Sequence, residues 1–545
     1  MTALPPGLDP KTTPAGEAIA IGDTEPSASA DGNESQASDA SGKNTPPHDL
    51  KGRTMRGALV STAGQGANFV LRIGSMVVLA RLLTAEDFGV VGMVIAFTGF
   101  LDIFRDFGLS MAAVQHASIS QAQHSTLFWI NLAIGLLLAA LCVVAAPFLV
   151  TFYQEPRLLW IAVVVGLGFL FNGAAAQHRA LLQRRMRFTA LTALEVISLV
   201  VSTGVGVGMA ATGQGYWALV AMNVCPTAVS AVGFWAIAQW MPGRPHWGAD
   251  MRSLLGYGGT VTLDGVITFI TYNADKVLLG RFWGSQPLGI YGRAYQLVNT
   301  PTSNLNSTIA LVVFPALSRL QNDPTRLRSY FLKGYGLFLS LVMPITMGCA
   351  LCADDIVRVF LGSRWEVAAP AVRLLAPTIL TFGLLNPLAW LLLSTGRAAR
   401  SLYIGLMIAP VVIIGELFGL RYGPTGIASG LSVATALLVF PVIFWATYQT
   451  PVTAWDTLKE ILRPLSSCLI AAGVVLACSS FIEPLHPPFL RLLVENTVLF
   501  GVYFFVLGFV MGQKAIYLPM FRDLGLWPIV KWRRQTATIP SPVHD

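Results

Sequence analysis

Charge is scarce in this 545-residue chain. Asp, Glu, Lys and Arg make up 12% of it, about half the share in an ordinary soluble protein. Histidine is thinner still, with seven residues dispersed along the chain, among them His116, His124, His178, His246 and His486 in loops or at the ends of apolar runs. No dense Asp/Glu/His set is present to build a metallohydrolase centre, and no Gly-x-x-x-x-Gly-Lys-Ser/Thr loop is present to hold ATP for hydrolysis. Cysteine is limited to six residues, mostly inside apolar stretches. Cys349-Ala-Leu-Cys352 has redox spacing, but no strand precedes it and no second pair completes a metal site. These absences point away from catalysis and from any cofactor.

Apolar sequence is what the chain has in excess, 54% of all residues. Runs long enough to cross a bilayer as helices recur from residue 55 almost to 515. They do not alternate in polarity as barrel strands would. The expected fold class is all-α, a polytopic membrane protein. Its spans fall near 57–80, 89–112, 126–150, 157–176, 190–211, 215–239, 253–280, 288–316, 331–352, 366–393, 400–420, 425–447, 461–480 and 491–513. Residues 1–50 are rich in Pro, Ser, Ala, Gly and Asp with almost no aromatics. They are expected to form a disordered tail, without the charged start and apolar core of a cleaved signal peptide.

Basic residues crowd one set of loops, including Lys51, Arg53 and Arg56, then Arg179, Arg184, Arg185 and Arg187, then Arg319, Arg326, Arg328 and Lys333. The opposite loops hold far fewer, chiefly Arg81, Arg157, Arg281, Arg358, Arg364, Arg421 and Arg491. The positive-inside rule puts both termini in the cytoplasm. The net charge of +8 then reflects loops facing anionic lipid headgroups rather than nucleic acid.

One stretch is written twice. Arg81-Leu-Leu-Thr-Ala-Glu-Asp-Phe-Gly89-Val-Val-Gly92 is echoed, 200 positions later, by Arg281-Phe-Trp-Gly-Ser-Gln-Pro-Leu-Gly289-Ile-Tyr-Gly292. Both join one span to the next, and six spans separate the copies, so the repeat is parallel. The expected organisation is a six-helix lobe over 51–240 and a second over 253–447. A further helix pair over 448–513 and a cytoplasmic tail over 514–545 follow. Gly89, Gly92, Gly289 and Gly292 allow tight turns and close helix contact. At a lobe edge they shape the openings rather than bind cargo.

Several charges sit where bilayer insertion costs about 2.5–3.5 kcal/mol. Arg72 and Asp264 are single charges deep in the first span of each expected lobe. Asp102, Arg105 and Asp106 lie in the second span, Asp275 and Lys276 in the seventh, Arg293 and Asn299 in the eighth, and Glu416 in the eleventh. Arg72 has the donor fork that suits phosphate oxygens. Asp264 can exchange a proton or coordinate sodium, and Asp275 is a second candidate for ion coupling. Asp102 with Arg105, and Asp275 with Lys276, are equally readable as structural pairs. Asn273, Asn299, Asn304 and Asn306 offer paired donors and acceptors, either to sugar hydroxyls or between helices.

The stretches Leu79-Ala-Arg81-Leu-Leu-Thr-Ala-Glu-Asp87-Phe-Gly89, Asn273-Ala-Asp275-Lys276-Val-Leu-Leu-Gly280-Arg281, Leu288-Gly-Ile-Tyr291-Gly-Arg293-Ala-Tyr295-Gln296 and Phe314-Pro315-Ala-Leu-Ser-Arg319-Leu carry a family resemblance. Across roughly 55–513 the chain resembles the polysaccharide or lipopolysaccharide O-unit flippases of the multidrug/oligosaccharidyl-lipid/polysaccharide exporter superfamily, in particular the colanic-acid-exporter branch. The resemblance implies movement of undecaprenyl-pyrophosphate-linked oligosaccharide across the bacterial inner membrane. It implies alternating access driven by a proton or sodium gradient, in the service of surface polysaccharide or exopolysaccharide synthesis. It gives Arg72, Arg105, Lys276 and Arg293, with Asn299, a role at the cargo headgroup. The partners implied are the lipid-linked oligosaccharide, membrane lipids, and a polysaccharide polymerase with export machinery. A drug/cation antiporter of the same superfamily would favour a net anionic cavity. A membrane polysaccharide polymerase would need a long extracytoplasmic catalytic loop, and no loop here is long enough.

Overall fold

The computed structural model describes residues 47–105, 121–245, 251–482 and 486–512. Side chains are described for these except at 47–63, 122, 251–264, 311 and 482. The chain separates into a small unit, Met1–Thr54, and a large one, Met55–Asp545. The described part of the small unit, 47–54, is helical; everything below concerns the large unit.

All regular structure among the described residues is helical. Backbone groups in lipid have no water to bond, so an apolar run satisfies them within its own helix. The first helices are α1 (Pro47–Leu82), α2 (Ala85–Asp102), α3 (Gln121–Tyr153), α4 (Leu158–Arg184), α5 (Phe188–Ala211) and α6 (Tyr216–Ala238). There follow α7 (Met251–Trp283), α8 (Ser285–Arg319), α9 (Pro324–Leu351), the short α10 (Ala353–Phe360), α11 (Ala369–Ser394), α12 (Ala398–Gly419) and α13 (Gly423–Thr447). The last two are α14 (Ala454–Ile482) and α15 (Pro488–Phe505). Each expected span is matched by one long helix. Three features differ. Helix α2 stops at Asp102, short of the expected end at 112, where Arg105 turns back to pair with Asp102; residues 106–112 lie outside the described residues. The fourth helix runs on to Arg184, past the expected end at 176, because polar residues end an apolar run without ending a helix. The amphipathic α10, too short to cross a bilayer, was not foreseen.

Nine described segments are long and apolar enough to span a membrane, one of them, Ala398–Thr447, covering both α12 and α13. Helices α1, α2, α7 and α8 are not among the nine. They carry most of the charged and amide residues singled out above. Outward-facing Leu137, Val144 and Phe148 on α3 are 67%, 74% and 66% exposed. Such large apolar surface is stable only against lipid. The protein is a multi-pass membrane protein.

Helix α3 packs along α4, α4 and α5 along α6, and α8 along α11. Helix α13 packs on α11 and α12, α12 on α7, and α14 on α9 and α15. Asp355 of α10, 4% exposed, is held by both Nε and Nη2 of Arg491 on α15. A buried carboxylate needs such a partner. In the α3–α4 loop, hydrogen bonds from Arg157 hold the Glu155 carboxyl below the usual carboxylate range. Arg157 also pairs with Glu86 on α2.

Helix α2 also lies against α8, and here the two copies of the duplicated stretch meet. A Cβ added at Gly89 would lie 1.7 Å from the Ser285 carbonyl oxygen, and one at Gly289 would lie 1.8 Å from that of Ala85. Only glycine permits this approach. The two helix starts are built differently. Thr84 and Asp87 form a capping box, with the Thr84 N–H donating to Asp87 Oδ2 at 3.0 Å and the Asp87 N–H to Thr84 Oγ1 at 3.3 Å. The second copy turns instead through Gly284 at φ 84°, open to glycine without a Cβ penalty. Arg81 and Arg281, aligned in the repeat, also part company. Arg81 Nη2 donates to the Val359 carbonyl at 3.2 Å, while Arg281 lies over the Phe152 ring at 5.7 Å.

Candidate functional site

A cavity of about 860 Å³ lies between α1, α2, α5, α6 and α8, with α4, α9 and α10 contributing at its edges. That volume is large for a small-ligand pocket, for which about 300–1,000 Å³ is usual. Its charged lining is three arginines, Arg72, Arg179 and Arg293, against one glutamate, Glu195. Arg179 Nη2 donates to Glu195 Oε1 at 2.7 Å, so that pair is internally neutralised. Arg72 and Arg293 have no carboxylate partner among the described residues. The Arg293 guanidinium lies 4.3 Å over the Phe88 ring, an attraction of about 0.5–2 kcal/mol. Its Nε is buried with no acceptor among the described residues. Pro301 on α8 lacks an N–H and so leaves the Leu297 carbonyl without its helical donor; both residues line the cavity. Among the described residues the cavity therefore presents two cations without a carboxylate partner, with polar groups around them. A small polyanion is the ligand such a site can hold. Phe88 and Gly92, which line the cavity, flank Gly89 of the Gly89–Gly289 contact along α2.

A side chamber of about 330 Å³ adjoins it, sharing Arg179, Glu195, Pro226 and Ser230, and extends between α4, α6 and Asn131 of α3. Arg105 lines this chamber rather than the main cavity. Helix α2 stops at Asp102, and Arg105 Nη1 donates back to Asp102 Oδ1 at 2.8 Å.

A third polar group lies on α7, α8 and α12. Asp275, 1% exposed, accepts from Tyr291 Oη at 2.7 Å and from the Lys276 backbone N–H at 2.7 Å. Lys276 Nζ donates to Asn273 Oδ1 at 2.6 Å and sits 4.9 Å over the Tyr295 ring. Glu416 is 0% exposed, and neither carboxylate oxygen has a hydrogen-bond partner among the described residues. It lies within electrostatic reach of Asp275 and Lys276.

The structure thus brings Arg72 and Arg293 to one cavity and places Arg105 in the chamber beside it. Lys276 and Asn299 line neither space, Lys276 belonging to the Asp275 group. Asp264 lies in α7 outside the described side chains, and Asp106 lies outside the described residues. Asn304 bonds its own helix at Thr300 O, 2.7 Å. Arg179, read from sequence as a loop cation, is helical and lines both spaces. Asn131, Asn172 and Gln183 of the chamber carry no charge that would have marked them in an apolar run.

Residues 78–370, over half of the chain, match the family described as polysaccharide biosynthesis protein. The chain belongs to this family. Among its relatives is the teichuronic acid biosynthesis protein TuaB of Bacillus subtilis (strain 168), 26% identical over 435 residues that cover 79% of this chain and 85% of that one. The lipopolysaccharide biosynthesis protein WzxC of Escherichia coli (strain K12) is 24% identical over 391 residues, 70% of this chain and 78% of that one. In three dimensions the family member is similar to the inward closed conformation of the lipid II flippase MurJ, with TM-score 0.67 and 16% identity over 86% of this chain and 99% of that one. It is also similar to an inward-facing multidrug resistance MATE family transporter of the MOP superfamily, with TM-score 0.59 and 11% identity over 71% and 95%. This family member is a polytopic membrane protein with the fold of these two solved proteins. Among the described residues, no group of three or more His, Cys, Asp or Glu is placed to hold a metal.

Proposed function

We propose that the chain carries undecaprenyl-pyrophosphate-linked oligosaccharide from the inner to the outer leaflet of the bacterial inner membrane, by alternating access, for surface or exopolysaccharide synthesis. The observation that carries this reading is the pair of arginines, Arg72 and Arg293, that line one large cavity without a carboxylate partner among the described residues. A pyrophosphate brings the oxygen acceptors that a guanidinium fork matches. A cationic drug would meet like charge there, which disfavours the antiporter reading. The names of the relatives, built on teichuronic acid and lipopolysaccharide, support a glycan cargo.

In this reading two lobes, approximately 51–240 and 253–447, rock about the cavity, with α14 and α15 as an added pair. Both termini are cytoplasmic, so the Gly89–Gly289 contact closes the extracytoplasmic end. Deletion of the gene is expected to leave lipid-linked glycan on the cytoplasmic leaflet and to remove the surface polymer. Normal surface polymer in a deletion strain with no second exporter would sink the reading.

Coupling to protons or sodium fits the buried carboxylates Asp275 and Glu416. Two carboxylates and one lysine in a dry site leave one negative charge to be met by a small cation. Glu416→Gln should make transport into proteoliposomes independent of the ion gradient, or stop it, while cargo binding persists. Gradient-driven transport by both Glu416→Gln and Asp275→Asn at the wild-type rate would exclude the coupling role.

A further inference from the structure

The side chamber differs in chemistry from the cavity it joins. Both of its arginines already have carboxylate partners, Arg105 with Asp102 at 2.8 Å and Arg179 with Glu195 at 2.7 Å. What remains for a ligand is neutral: the amides of Asn131, Asn172 and Gln183, the Thr227 hydroxyl and the Phe234 ring. Asn131 is 2% exposed, and among the described residues neither its amide nitrogen nor its oxygen has a hydrogen-bond partner. Such a group is rare in a folded protein because a buried amide without partners is costly. It lies within an apolar helix. An amide supplies both a donor and an acceptor, and a sugar hydroxyl is both at once. The chamber meets the cavity at Arg179, Glu195, Pro226 and Ser230, so a group attached to a phosphate held in the cavity can extend into it.

We propose that this chamber is a sugar subsite, which takes one neutral, hydroxyl-rich residue of the glycan while the cavity holds the phosphates. This rests on the lipid-linked oligosaccharide reading above. It predicts that the chain senses the glycan as well as its anchor, and that Asn131 sets the discrimination.

The test uses the full-length protein in detergent micelles and two probes. One is undecaprenyl pyrophosphate, and the other is the lipid-linked repeat unit extracted from a strain lacking this chain. Asn131→Leu should weaken binding of the glycan-bearing lipid about tenfold, the scale of one or two hydrogen bonds, and leave binding of undecaprenyl pyrophosphate intact. That retained binding also shows that the variant is folded. Asn172→Leu should act in the same direction. Equal loss for both probes would make Asn131 a packing residue, and no loss for either would mean that water satisfies its amide; each result overturns the subsite. Wild-type protein that binds neither probe would overturn the cargo reading itself, and the subsite with it, before any variant is compared.

Discussion

Export is expected to fall by one to two orders of magnitude when Arg72 or Arg293 is replaced by alanine, and to cease when either becomes glutamate. A hydrogen bond to a charged group is worth about 1.5–3 kcal/mol, or roughly ten- to a hundredfold in an equilibrium constant. Arg293 adds a second effect. Its Nε is buried without an acceptor among the described residues, and that cost is relieved when an oxygen arrives, so cargo binding gains more here than at an exposed cation. Lysine at either position keeps the charge but loses the planar fork, and should give an intermediate defect. The measurement is surface polymer restored to a deletion strain, alongside accumulated lipid-linked glycan and the amount of protein in the membrane. Arg358→Ala, which breaks an exposed pair with Glu366, serves as the comparison and should export normally. Full export by Arg72→Glu with Arg293→Glu, at normal protein level, would remove the headgroup role from the cavity.

Gly89→Leu is expected to abolish turnover for a different reason. Even an alanine Cβ at this position would lie 1.7 Å from the Ser285 backbone oxygen, so α2 and α8 must separate to admit it. Overpacking a tight contact costs about 1–3 kcal/mol, and the two states of a switching protein differ by only a few kcal/mol. A clash confined to one state is therefore enough to invert their populations. The extracytoplasmic end should stay open in the variant. A Gly92→Cys reporter, on the cavity wall where an added Cβ makes only ordinary contact with Leu288 at 3.7 Å, should then react with an impermeant maleimide from that side in a cysteine-free background. Gly289→Leu should behave alike. Wild-type labelling and transport in both variants would show that the contact does not gate.

Much of the fold was legible because lipid leaves the backbone few choices. Among the described residues each expected span meets a long helix, the second ending at Asp102 rather than 112, and nine segments are long and apolar enough to cross a membrane. Arg179 ended the apolar run of α4 but not the helix, since its charge finds Glu195 sixteen residues away on α5. Helix α10 was invisible as a span because it lies in a connection, secured by Asp355 and Arg491. Arg72 and Arg293 could be singled out, since a lone charge in an apolar run is conspicuous. Their meeting in one space could not, because it depends on α1 and α8 facing the same cavity. His124 and His178 looked dispersed, yet both join the cluster of Phe128, Trp235 and Trp240, with the His178 ring stacked on Trp235 at 4.3 Å between centroids. Asn131 gave no signal, because an amide becomes conspicuous only when its neighbours fail to bond it.

The contact between the duplicated turns is reciprocal. Gly89 meets Ser285 and Gly289 meets Ala85, each glycine facing the residue four places before its counterpart. This is the pattern of an isologous interface, in which residue i touches j and j touches i about a two-fold axis. A chain carrying only one such turn would have to borrow the other from a second subunit. Covalent fusion lets the two sides diverge, and they have: one start is capped by Thr84 and Asp87, the other by a left-handed glycine. The chain therefore holds within itself the contact pattern of a symmetric dimer.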